Sequence, residues 1–151
     1  MKLPAALVRV DSAVIDATRR LSIPSLRIAL GVVYVWFGLL KVFGASPVAE
    51  LVVKTAYFLP PELALVGMGV FETIIGIGLL SGRAMRITLA LFFVQIIATF
   101  LTVVTRPDLL FQYGNPLQLS VDGEFVLKNL VLIAAGLTIA SALPKARANP
   151  R

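Results

Sequence analysis

Long apolar runs separated by short polar punctuation dominate the pattern of this chain. Four of them approach the ~20 residues that a helix needs to cross a ~30 Å hydrocarbon core. They are Pro24–Phe43, Leu63–Ser81, Ile87–Thr105 and Phe125–Leu143. The first carries Arg27 and Lys41 near its ends, where long cationic side chains can snorkel. Glu72 alone interrupts the second, the third has no charge, and Lys128 and Asn129 fall in the first turns of the fourth. The period-two alternation of barrel strands is absent. The pattern predicts an all-α polytopic membrane protein: a four-transmembrane-helix bundle over 24–143, followed by a short tail, 144–151.

The preceding segment, 1–23, has a different character. Leu7, Val10, Val14, Ala17 and Leu21 fall on one helical face, and Arg9, Ser12, Asp16, Arg19 and Arg20 fall opposite. This predicts an amphipathic interfacial helix lying on the membrane surface, not a cleaved leader. Between the spans, Gly44–Glu62 is expected to hold a short helix over Val48–Phe58. Arg106–Glu124 is rich in turn signals at Arg106-Pro107-Asp108, Gly114-Asn115-Pro116 and Asp122-Gly123. The connection Ser81–Arg86 is so short that the second and third spans must be antiparallel neighbours.

Charge gives the expected orientation. With the N-terminus inside, Lys2, Arg9, Arg19, Arg20, Arg27, Arg83, Arg86, Lys145, Arg147 and Arg151 lie on the inner side, and Lys41, Lys54, Arg106 and Lys128 on the outer. This is the positive-inside bias of a protein with both termini in the cytoplasm. The formal charge is +6, but the bases sit at the ends of apolar runs, with no basic stripe interleaved with aromatics, so nucleic acid is not an expected partner. Composition then narrows the chemistry. Hydrophobic residues make up 58% of the chain, charged residues 15%, and cysteine and histidine are absent. That excludes thiol relays, zinc–thiolate sites and bis-histidine haem, so no metal or covalent cofactor is expected.

A charge at mid-membrane costs roughly 3 kcal/mol on insertion scales, so each one needs a reason. Glu72 is flanked at helical spacing by Gly69 and Gly76, which would let a second helix approach closely. It reads either as a proton- or ligand-binding carboxylate, or as a packed carboxyl that is neutral or paired with Lys128 or Lys41. The third span carries a polar seam, Thr88, Gln95, Thr99 and Thr102, ending at Arg106. Gln95 falls near the depth of Glu72. Glu124 and Lys128 have the spacing of an ion pair, with Asn129 beside them, and Tyr34, Gly38 and Lys41 share a face of the first span. The candidate ligand or proton site is therefore Glu72, Gln95, Lys128, Asn129, Glu124 and Lys41, pictured as a polar vestibule open to the outside.

Several motifs carry a family resemblance: Tyr34–Phe43 (YVWFGLLKVF), Phe71–Leu80 (FETIIGIGLL), Thr105–Asp108, Gly114–Pro116 and Gly123–Ile133 (GEFVLKNLVLI). In that order, over roughly Leu26–Leu143, they resemble the DoxX-like superfamily of small four-helix bacterial membrane proteins, in its branch with the Gly-Glu-Phe-Val-Leu-Lys-Asn signature. The resemblance implies the bacterial inner membrane and a place near thiosulfate:quinone oxidoreductases, oxidative-stress assemblies or chaperone-like roles. Thiol-dependent quinone chemistry in related folds does not carry over, because this chain has no cysteine. Three functions follow as expectations. The first is an accessory subunit of a respiratory, oxidoreductase or stress-response assembly, with membrane lipids and either protein partners or further copies of itself around it. The second is a quinone- or lipid-binding subunit, and the third a small proton-coupled transporter using Glu72.

The topology is directly testable. Reporter fusions at Ser46, Gly82, Gly114 and Ala148 should read out, in, out and in; any other order overturns the four-span, N-in arrangement.

Overall fold

A computed structural model describes residues 4–145 of the chain. Its elements are α1 (Ala5–Val42), α2 (Ala49–Thr55), α3 (Pro61–Ser81), α4 (Met85–Thr105), α5 (Pro107–Leu110), a 3-10 turn at Gln112–Gly114, α6 (Val121–Leu127) and α7 (Asn129–Ser141). Four helical stretches are long and apolar enough to cross a membrane, with α6 and α7 counting together as Val121–Ser141. They close into a ring in which α1 packs on α3, α3 on α4, α4 on α7 and α7 on α1.

The α1–α3 contact is the closest of these, and glycine permits it. A Cβ added at Gly38 would lie 2.6 Å from the Gly69 carbonyl oxygen, and one added at Gly69 would lie 2.6 Å from that of Gly38. One turned-over heptad away, a Cβ at Gly76 would meet the Val35 amide nitrogen at 2.6 Å and the Gly31 carbonyl oxygen at 2.9 Å. The pairing of Gly38 with Gly69 and of Gly31 with Gly76 fixes the two helices as antiparallel. It also brings their backbones into van der Waals contact, as small residues do in membrane helix pairs. On the other faces Thr88 lies over Gly78, and the Phe92 ring fills the space left by Gly136.

Two apolar clusters result. One, towards the α3–α4 turn, holds Leu30, Ile75, Leu79, Phe92, Ile96 and Ile139. The other, at the opposite end, gathers Val48, Leu51, Leu110 and Val126 under the long connections. The two ends of the bundle are called here the turn end and the loop end.

Three expectations about element bounds need correction. The boundary at Pro24 is not a break: α1 runs unbroken for 38 residues, about 57 Å at 1.5 Å per residue, nearly twice the hydrocarbon thickness. Proline removes only one backbone donor from an otherwise strong helical sequence. The amphipathic part of α1 is helical as expected, and its apolar positions Leu7, Val10, Val14 and Leu21 are each more than half exposed, packed on no other described element. The last span begins at Val121, not Phe125. Its polar first turn is held by Ser120, whose Oγ accepts from the Gly123 amide at 3.0 Å and donates to the Leu109 carbonyl at 2.6 Å, a capping arrangement that hydropathy alone does not reveal. For the same reason Asp122-Gly123 lies inside a helix and not in a turn. The tail from 146 onwards, with Arg147 and Arg151, and Lys2 at the start lie outside the described residues.

At the loop end, Arg106 ties three segments together. Its Nε and Nη2 donate to the two carboxyl oxygens of Asp108 at 3.0 and 2.8 Å, and its Nη1 donates to the Lys54 carbonyl at the end of α2 at 2.8 Å. The hydrogen bond from Arg106 holds the Asp108 carboxyl below its usual range.

The glycine contact makes a sharp prediction. Gly38→Ala should force α1 from α3 and lower stability in detergent by about 1–3 kcal/mol. Gly67→Ala, where an added Cβ meets nothing within 4 Å, should leave the unfolding midpoint unchanged; equal midpoints for both variants would remove the close-contact account.

Candidate functional site

The site begins with the last turn of α1. Lys41 follows Gly38 by three residues on the helix face that meets α3, so its side chain runs directly onto the middle of α3. There its Nζ lies 2.6 Å from Glu72 Oε2. Both groups are sealed: Lys41 is 3% exposed and Glu72 8%. Gly69 is what lets the lysine stem pass, since a Cβ there would come within 2.9 Å of Lys41 Cβ.

The second carboxyl oxygen of Glu72 is met from α4. Gln95 Nε2 donates to Glu72 Oε1 at 3.2 Å and, less closely, to Thr99 Oγ1 at 3.4 Å. The other end of the amide is also used, because the Tyr34 hydroxyl donates to Gln95 Oε1 at 2.9 Å. The chain of bonds is thus Tyr34 to Gln95 to Glu72, with Lys41 donating from the opposite side. It joins α1, α3 and α4. Every bond runs from donor to acceptor in the sense that suits an ionised carboxylate beside an ammonium, and a carboxylate accepting two such bonds is well solvated by the protein itself.

Apolar packing encloses this network. The Tyr34 ring stands 5.2 Å from that of Phe92, and Phe92 is fully buried. Thr99 Oγ1 donates back to the Gln95 carbonyl at 3.0 Å, the usual way for a threonine to satisfy itself within a helix. Of the polar seam on α4, Thr88, Gln95 and Thr102 are buried and Thr99 is half-buried. The seam therefore faces the bundle, and of these four residues Gln95 makes the long-range hydrogen bonds, to Tyr34 and Glu72.

The structure thus brings together three of the six candidate residues: Lys41, Glu72 and Gln95. The other three lie elsewhere. Lys128 and Glu124 face outward from α6, 3.8 Å apart, with their side chains 74% and 61% exposed. They form a surface pair of the kind that contributes little. Asn129 is buried at the start of α7, outside the hydrogen-bonded chain. Lys41 and Glu72 are sealed from solvent, so the pair does not line the open polar vestibule that was pictured. The open cavity nearest the loop end, about 340 Å³, has an apolar lining that includes Phe100, Val103, Leu110, Phe111 and Val126. Tyr34 is the member that residue-by-residue reading left out of the site. Its signal was the face it shares with Gly38 and Lys41, seven residues from the lysine.

Comparison with known families finds that the model described as DoxX matches residues 23–105, more than half the chain. The match includes Tyr34, Lys41, Glu72 and Gln95. No curated protein matches, and no solved structure does.

The geometry predicts strong coupling between the paired charges. Lys41→Met alone strands a buried carboxylate and should lower stability by about 3–5 kcal/mol. Lys41→Met combined with Glu72→Leu should recover most of that loss, because apolar replacements of a buried pair are often neutral. A double-mutant cycle on detergent unfolding measures this; additive losses would mean that the two side chains do not pair.

Proposed function

The chain belongs to the DoxX family of membrane proteins, and from that premise we propose that it acts as a non-catalytic integral subunit of a larger assembly in the bacterial inner membrane. The respiratory, oxidoreductase or stress-response classes are the assemblies in view, and the termini and the α3–α4 turn would face the cytoplasm. The observation that carries this reading is the self-contained state of the only buried charges found among the described residues. Lys41 and Glu72 neutralise each other, and Gln95 and Tyr34 complete the shell. These groups hold three helices in register and present no free polar atom to a substrate. A chain without cysteine or histidine also has few alternatives for redox or hydrolytic work.

One further observation favours a second reading. The apolar cavity at the loop end is large enough for part of an isoprenoid or acyl chain, which would suit a quinone- or lipid-binding subunit. For the transporter reading, Glu72 would have to release Lys41 to carry a proton, and nothing in the packing around the pair favours that step.

The readings separate in one set of measurements. Native mass spectrometry of the gently solubilised protein should show a protein partner at fixed stoichiometry, and the double variant Lys41→Met, Glu72→Leu should keep that partner. Loss of assembly function in a double variant that folds normally would assign chemistry to the pair and overturn the accessory reading. A retained quinone with no protein partner would favour the second reading, and proton flux in liposomes from the protein alone would favour the third.

A further inference from the structure

A second, half-buried cation lies at the turn end, and the network around Glu72 does not use it. Arg27 projects from α1 towards the end of α3, and its guanidinium lies against Gly82, the left-handed residue (φ 67°) that terminates α3. A side chain at position 82 would occupy the space the guanidinium takes. Arg27 is half-buried, and its Nε is closed off from solvent with no hydrogen-bond partner among the described residues. It enters none of the four ion pairs found among the described residues.

The charged residues that follow Gly82 in the α3–α4 turn are both basic. Arg83 follows Gly82 directly, and Arg86, in the first turn of α4, donates to the Pro144 carbonyl. The nearest acid along α1 is Asp16, eleven residues and about 16 Å away by helical rise. The carbonyl end of α3 offers a partial charge of only about half a unit, which leaves the guanidinium fork largely uncompensated.

Depth decides what could complete it. The 21 residues of α3 span about 31 Å, close to the ~30 Å of a hydrocarbon core, so Gly82 falls at the border between acyl chains and headgroups. Ile28, Ile77 and Leu80, on the same end of the two helices, are exposed to the surroundings by 47%, 56% and 38%. An anion held here must bring its own apolar part.

We propose that Arg27 and Arg83 form a site for the phosphodiester of an anionic phospholipid, in the leaflet on the N-terminal side. The planar guanidinium matches two phosphate oxygens at once, Gly82 leaves room for it, and the exposed aliphatic side chains lie beside the lipid's acyl chains. The site recognises headgroup charge at a fixed place, which a diffuse excess of basic residues would not.

The test uses the full-length protein with defined lipids. Native mass spectrometry after delipidation should show one phosphatidylglycerol retained, with phosphatidylcholine at least tenfold weaker, and phosphatidylglycerol should raise the unfolding midpoint by several degrees. Arg27→Gln should lose retention about tenfold, and Lys54→Gln, at the loop end, should leave it unchanged. Equal retention by wild type and Arg27→Gln overturns the site, as does equal binding of the two lipids. Inorganic phosphate that stabilises the protein as much as phosphatidylglycerol does would also overturn it, by assigning a soluble anion. Should Arg27→Gln fail to fold, Arg27→Lys and Arg83→Gln decide: weakened retention in either supports the site, and unchanged retention in both removes it.

Discussion

A carboxylate placed halfway across a bilayer has to be neutralised, and the arrangement of this bundle follows from how Glu72 is. Lys41 reaches it only because α1 and α3 touch backbone to backbone at Gly38 and Gly69. With larger residues at those positions the helices would stand further apart, and a 2.6 Å ion pair between their side chains would be lost. The pair and the glycines therefore depend on each other. Gln95 then brings α4 to the same point, and Tyr34 returns the chain of bonds to α1.

Lipid gives helices little hydrophobic reason to associate, so packing and polar contacts must specify the fold. This chain uses both at the same interface. The glycine contacts set the distance and antiparallel sense of α1 and α3, while the charged pair sets their register: a slip of one residue would swing Lys41 away from Glu72. Beyond that interface, the Gln95 bonds and the Arg106 tie, the packing described is aromatic and aliphatic, with Phe92 against Tyr34 and Gly136 and the apolar cap under α2 and α5. The polar core thus lies between two apolar layers.

The site was partly legible in the sequence. Glu72, Gln95 and Lys41 stand out because polar groups in apolar runs are costly, and Gly69 and Gly76 announced a close helix neighbour. Lys128 was an equal candidate for the pair. Both lysines occur near the loop end of their spans, and depth alone does not say which helix face each occupies. In the structure Lys41 shares its face with Gly38, whereas Lys128 points outward beside Glu124. Tyr34 was less conspicuous because a tyrosine in a span has an ordinary reading as packing or as an interfacial aromatic.

What the sequence alone determined is what hydrophobicity and charge encode locally: four spans, the short turn that makes α3 and α4 neighbours, and a membrane-bound all-α chain. The start of the last span escaped that reading because it depends on a cap at Ser120, and the continuity of α1 through Pro24 because one missing donor does not outweigh the helix around it. Only the tertiary structure decided the partners. Choosing Lys41 over Lys128, burying that pair, and setting Arg27 against Gly82 all depend on how the helices rotate and approach. Those quantities arise from contacts between residues far apart in the chain, and no local pattern of hydrophobicity contains them.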